Sequence, residues 1–106
     1  MSDPVAEALR ELRREYHAES ATRVAELQRG LAALAAGDER AETDLAVLCH
    51  RLAGSGGAYG FPRVSTAARE MERLLRSEPH WTPARLAELE AGIQDIADAF
   101  AQGGAG

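Results

Sequence analysis

The sequence predicts an all-α fold, an antiparallel four-helix bundle with an additional short N-terminal helix, and three observations predict it. Aromatic residues make up only 5% of the 106 and β-branched residues are scarce, so local propensity favours helix and leaves almost no strand-like alternation. Apolar residues recur at helical spacing in five segments. The connections between those segments are short, so their stripes can be hidden together only as a bundle. With 45% hydrophobic residues the chain can build one cooperative core and is too small for two, which places a single domain over residues 1–102.

Ser2, Asp3 and Pro4 form the first helix start, a capping side chain followed by a proline whose missing N–H costs nothing there. Val5, Leu9, Leu12 and Tyr16 supply the stripe of that helix. A soft break or kink falls at Ser20 to Thr22, and Val24, Leu27, Leu31 and Leu34 carry the second stripe. Ala36, Gly37 and Asp38 read as a helix end followed by a new cap. Leu45, Leu48 and Leu52 then stripe the third helix, which carries His50 and runs into Gly56, Gly57 and Gly60. Phe61-Pro62 restarts the chain with Val64, Ala68, Met71 and Leu75 facing inward, and so short a connection makes the two helices antiparallel neighbours. Ser77 to Pro83 is the next turn, with Thr82 as cap and Pro83 in the first helical position, before Leu86, Leu89, Ile93, Ile96 and Phe100. The tail at 103–106, Gly103-Gly104-Ala105-Gly106, has nothing to bury and is expected to be disordered.

A formal net charge of −5 argues against a phosphate-backbone footprint, so nucleic acid is not an expected partner. The single cysteine, Cys49, excludes an intramolecular disulfide and reads as packing material. No charged-then-apolar leader and no long apolar run stands out, which gives a cytoplasmic expectation with no membrane span. His17 and His80 lie on other segments than His50, and no histidine, cysteine or acidic spacing repeats at metal-ligand intervals.

His50 is the candidate functional residue. An α-helix turns about 100° per residue, so Leu45, Leu48 and Leu52 lie roughly 140–160° away from it and the imidazole points at solvent. On the same count Thr43, Ala46, Val47, Ala53, Gly54 and Gly57 fall within roughly 60°, a ring of small uncharged residues where long charged side chains would be usual. Such clearance lets a partner's backbone or loop approach the ring, and glycines at 54 and 57 cost about 1 kcal/mol each against alanine in a helix. Ser55 points roughly 140° away, towards the core flank, with its hydroxyl expected on a backbone carbonyl one turn back.

The string His50-Arg51-Leu52-Ala53-Gly54-Ser55-Gly56-Gly57-Ala58-Tyr59-Gly60-Phe61 resembles the signature of histidine-containing phosphotransfer (HPt) domains, with Leu52, Gly54, Ser55 and Gly60 at the matching positions. The segment Ala67 to Leu74 is similar to that family's following helix. The resemblance implies a four-helix bundle in which His50 accepts a phosphoryl group from the aspartyl phosphate of one receiver domain and passes it to another. The expected partners are the receiver domains of a hybrid histidine kinase or response regulator, docking over Ala46, Val47, Arg51, Ala53, Gly54 and Gly57, and the carrier itself is expected to be monomeric. The family pattern places lysine three residues after the histidine, where this chain has Ala53, and Arg51 is the candidate to supply the charge instead.

The chain has no carboxylate cluster for Mg²⁺ near His50 and no nucleotide-type glycine turn, so it is expected to have no cofactor and no kinase activity of its own, any Mg²⁺ coming from the receiver. Gly54-Ser55-Gly56-Gly57 sits at a helix C-terminal end, where the macrodipole disfavours anions, and reads as steric clearance. The alternative function is a docking module that binds and modulates a receiver without phosphate moving. A histidine-kinase dimerisation pair fits less well, since an acidic residue and a proline would follow the histidine where Arg51 and Gly54-Ser55 stand.

Overall fold

In a computed structural model that describes residues 3–77 and 80–103, the chain forms α1 (Pro4–Ala18), α2 (Ser20–Ala35), α3 (Ala41–Ala58), α4 (Pro62–Ser77) and α5 (Pro83–Ala101). Helices α2 to α5 close a ring in which each packs on two neighbours, and α1 touches the bundle at one end only, giving an elongated body of 56 × 20 × 19 Å. The core runs along the ring's axis through Leu27, Leu45, Val64, Leu75, Leu89 and Ile96, with Phe61, Phe100 and Tyr16 at the end that meets α1. Among the described residues no helix is long and apolar enough to cross a membrane.

The caps follow the sequence closely. Asp3 Oδ1 accepts from the Val5 N–H at 3.0 Å with Pro4 in the first turn, and Thr82 Oγ1 accepts from the Arg85 N–H at 3.2 Å with Pro83 behind it. Gly37 and Gly60 take φ of +86° and +84°, and around each the chain doubles back on the helix it has just left. At the second of these the Phe61 N–H donates to Gly56 O at 2.7 Å and the Gly60 N–H to Gly57 O at 3.4 Å, the paired bonds of a Schellman ending. Asp38 accepts from the Arg40 N–H at 2.9 Å in a local turn, but it is not the cap of α3, whose N-cap is Arg40 without a side-chain cap bond and whose first residue is Ala41.

Three expectations change. The break between the first two helices is a single residue, Glu19, and α2 starts at Ser20, so Ser20 to Thr22 lies within α2. The first helix is not short: its 15 residues nearly equal the 16 of α2. Its stripe is also not a core stripe. Val5, Leu9 and Leu12 are 68%, 49% and 43% exposed, because α1 overhangs the bundle and only its last turns meet it. Those turns are firmly tied. Tyr16 stacks on Tyr59 with ring centroids 4.8 Å apart and shares a 2.7 Å hydrogen bond with Ser55, and His17 Nε2 lies 2.7 Å from Phe100 O. The expected tail falls partly outside the described residues: Gly103 continues the α5 ending, and 104–106 are not described.

Candidate functional site around His50

Helix α3 continues through its glycines to Ala58, which leaves His50 in a regular helix, just past its midpoint. What brings α4 close to it is the absence of side-chain bulk at Gly56. A Cβ there would meet Ser65 N and Val64 Cγ1 at 3.1 Å and Phe61 O at 3.3 Å. The buried Ser65 hydroxyl then donates to Ala53 O at 2.7 Å, pinning the two helices one turn further along. This antiparallel register carries on to His50 and sets Glu72 of α4 against it.

Glu72 is the residue that defines the site. Its carboxylate oxygens lie 3.1 and 3.2 Å from His50 Nδ1, and its Oε2 also accepts from Arg76 Nε at 2.9 Å. The Glu72 side chain is only 16% exposed, whereas that of His50 is 74% exposed. Partial burial pushes the Glu72 carboxyl upward, but the hydrogen bonds from His50 and Arg76 and their charges outweigh it and hold the group below the ordinary glutamate value. An ionised carboxylate only accepts, so a neutral imidazole bonded to it keeps its proton on Nδ1 and its lone pair on Nε2. His50 Nε2 has no partner among the described residues. The arrangement presents one nucleophilic nitrogen to solvent in a fixed tautomer and orientation.

The predicted ring of small residues divides in two. Val47, Gly54 and Gly57 are exposed beside His50, with Thr43, and nothing lies within 4 Å of the position a Cβ at Gly54 would take. Ala46 and Ala53 are buried, 4% and 5% exposed, which corrects their expected place on the open surface. Counting angles on one helix treats both flanks of the histidine as free, but α4 covers the flank on which these two alanines lie. Arg51 is exposed on the other flank, along a groove with Arg23, Glu26, Leu27, Leu48 and Leu52 towards α2, so the structure does not bring it to the Glu72 side.

Ser55 takes no part in the site. Its hydroxyl reaches Tyr16 and, more weakly, Leu52 O at 3.5 Å, where it fastens α1 to α3. Cys49 is fully buried, and burial pushes its thiol up to about 12, which makes it inert packing. Among the described residues no three histidine, cysteine or acidic side chains are grouped to hold a metal ion.

Glu72 is not marked out by the sequence, where it stands among Arg69, Arg73 and Arg76 and looks like one more charge on a solvated helix face. A register count could have come within one residue of it: folding α4 back on α3 about the Gly60 turn, with Gly56 opposite Ser65, carries position 50 to position 71, next to Glu72.

A protein-family model described as Hpt domain matches residues 11–99. Comparison with curated proteins found no match, and comparison with solved structures found none.

Proposed function

The chain belongs to the Hpt domain family, the phosphotransfer carriers of two-component systems, and from that premise we propose that His50 is the phosphoacceptor of a phosphorelay. His50 Nε2 attacks the phosphorus of a receiver's aspartyl phosphate in line. The P–O bond to the aspartate breaks, the Nε2–P bond forms, and the carboxylate leaves without needing a proton. Transfer onward reverses these bonds on the aspartate of another receiver. The divalent ion that such a reaction uses belongs to the receiver, and the carrier contributes the nucleophile, its orientation and a cleared approach. Val47, Gly54 and Gly57 provide that approach, with Arg51 at its margin.

The observation that carries the reading is the Glu72 clamp on His50 Nδ1. It does for the imidazole what a second ligand partner does for a metal-bound histidine: it selects the tautomer and aims the other nitrogen. As phosphate arrives, Glu72 also stabilises the charge that the ring acquires when both nitrogens are substituted.

Incubation with a phosphorylated receiver is the test. Acid-labile phosphate on wild-type protein, absent in His50→Ala, is the expected result. Tight docking with no transferred phosphate would overturn the carrier reading in favour of a module that only binds the receiver.

A further inference from the structure

A phosphoryl group on His50 Nε2 brings up to two negative charges close to Glu72, whose carboxylate is already ionised and largely covered. Like charges at that range repel, and the site has to supply a cation or hold its product poorly. Position 53 cannot supply one, because Ala53 is buried and apolar. Arg51 lies on the flank facing α2, where Glu26 lines the same groove. Arg73 is bound to Glu70, on a face of α4 turned about 100° from Glu72.

Arg76 differs from all of these. It stands one helical turn beyond Glu72 on the same face of α4, and helical side chains lean towards the N-terminus of their helix, so it reaches back to Glu72 Oε2, the same oxygen that lies 3.1 Å from His50 Nδ1. Only its Nε is engaged, by Glu72 Oε2 at 2.9 Å, and its two terminal nitrogens have no partner among the described residues. The side chain is 59% exposed, free to adjust as a group arrives. A guanidinium presents donors along two edges, so one edge can stay on a carboxylate while the other takes phosphoryl oxygens.

We propose that Arg76 contacts the phosphoryl group carried on His50 Nε2, bridging it to Glu72 and standing in for the cation that position 53 lacks. This rests on the phosphocarrier reading and adds the residue that makes the phosphorylated state tolerable beside Glu72. A role limited to steadying Glu72 would vanish once Glu72 is removed, and direct contact would not.

The experiment uses the intact protein labelled with phosphoramidate, whose P–N bond breaks as the Nε2–P bond forms, releasing ammonia. Two quantities are read: the lifetime of phosphohistidine and the midpoint of its ³¹P titration with pH. Arg76→Ala is expected to raise that midpoint by about one pH unit, the size of effect a single nearby cation produces, and to shorten the lifetime several-fold. Arg76→Lys is expected to recover part of both. In a Glu72→Ala background, Arg76→Ala is expected to shift the midpoint again. An unchanged midpoint in Arg76→Ala, a shift that disappears without Glu72, or a shift that follows Arg51→Ala instead overturns the proposal. If His50 takes no phosphate from phosphoramidate or from a phosphorylated receiver, the carrier reading itself falls, a result distinct from labelled protein whose midpoint ignores Arg76.

Discussion

Replacing Gly54 and Gly56 by alanine puts the same methyl group into α3 two residues apart, with opposite expected results. At either position the helix itself gains about 1 kcal/mol, because alanine has fewer unfolded conformations to lose. At Gly54 the new Cβ meets nothing within 4 Å, so the whole gain should survive. At Gly56 it meets Ser65 N and Val64 Cγ1 at 3.1 Å and Phe61 O at 3.3 Å, and two of those three atoms are backbone that can yield only if α4 moves off α3. Overpacking of that kind costs about 1–3 kcal/mol, and a backbone obstacle favours the upper half, leaving a net loss of about 1–2 kcal/mol. For a domain of this size each kcal/mol moves the melting point by about 4–8 °C. Thermal unfolding followed by circular dichroism should therefore place Gly54→Ala above wild type and Gly56→Ala below it. A Gly54→Ala protein no more stable than wild type, or a Gly56→Ala protein at or above it, would refute the assignment of open space to one glycine and close helix approach to the other.

Further outcomes can be checked in the same preparations. Glu72→Ala should slow receiver-dependent labelling of His50 by about threefold to tenfold, the worth of one partly exposed hydrogen bond to a charged group, with Glu72→Gln retaining more activity because its amide oxygen still accepts from Nδ1–H. The folded-state value of Glu72 is depressed, so its contribution to stability is present above the ordinary glutamate range and is lost as pH falls through the lower folded value. Acid unfolding of wild type should accordingly show a steeper limb below about pH 4.3 than Glu72→Gln does. Tyr16→Phe removes the 2.7 Å bond to Ser55 and should cost about 0.5–1.5 kcal/mol, with amide exchange in α1 accelerating more than in α3. Cys49 should resist a thiol reagent at pH 8 in the native protein and react once denaturant is added; rapid native labelling would contradict its burial.

Residues whose environment is decided by their own helix were legible in the sequence. Thr82 and Pro83, the turn at Gly60, and the outward imidazole of His50 all follow from local geometry, and they came out as read. Residues whose environment is decided by a second helix were not. Ala46 and Ala53 have the angular positions of surface residues and are buried, because α4 lies on their flank. Glu72 has the look of one more charge on a solvated face and is the partner of His50, because the register across the hairpin places it there. Val5, Leu9 and Leu12 fail in the reverse sense: their spacing is that of a core stripe, yet no helix of the described residues lies over them. Periodicity reports which side of a helix is apolar, and only tertiary placement says whether anything covers it.

Both halves of the His50 site sit on one helical hairpin, α3 and α4, joined by the brief turn at Tyr59, Gly60 and Phe61. The nucleophile and its clamp are thus near neighbours along the chain and can meet as soon as the hairpin closes, before α5 docks. The same economy leaves the site exposed to changes of chain length. One residue inserted or deleted in that turn would rotate α4 by about 100° against α3, bringing Met71 or Arg73 round to the place of Glu72. Such a chain could still bury much of its apolar surface and stay helical. It would carry His50 unaimed, so insertions tolerated elsewhere should be purged from this turn even where they leave the bundle standing.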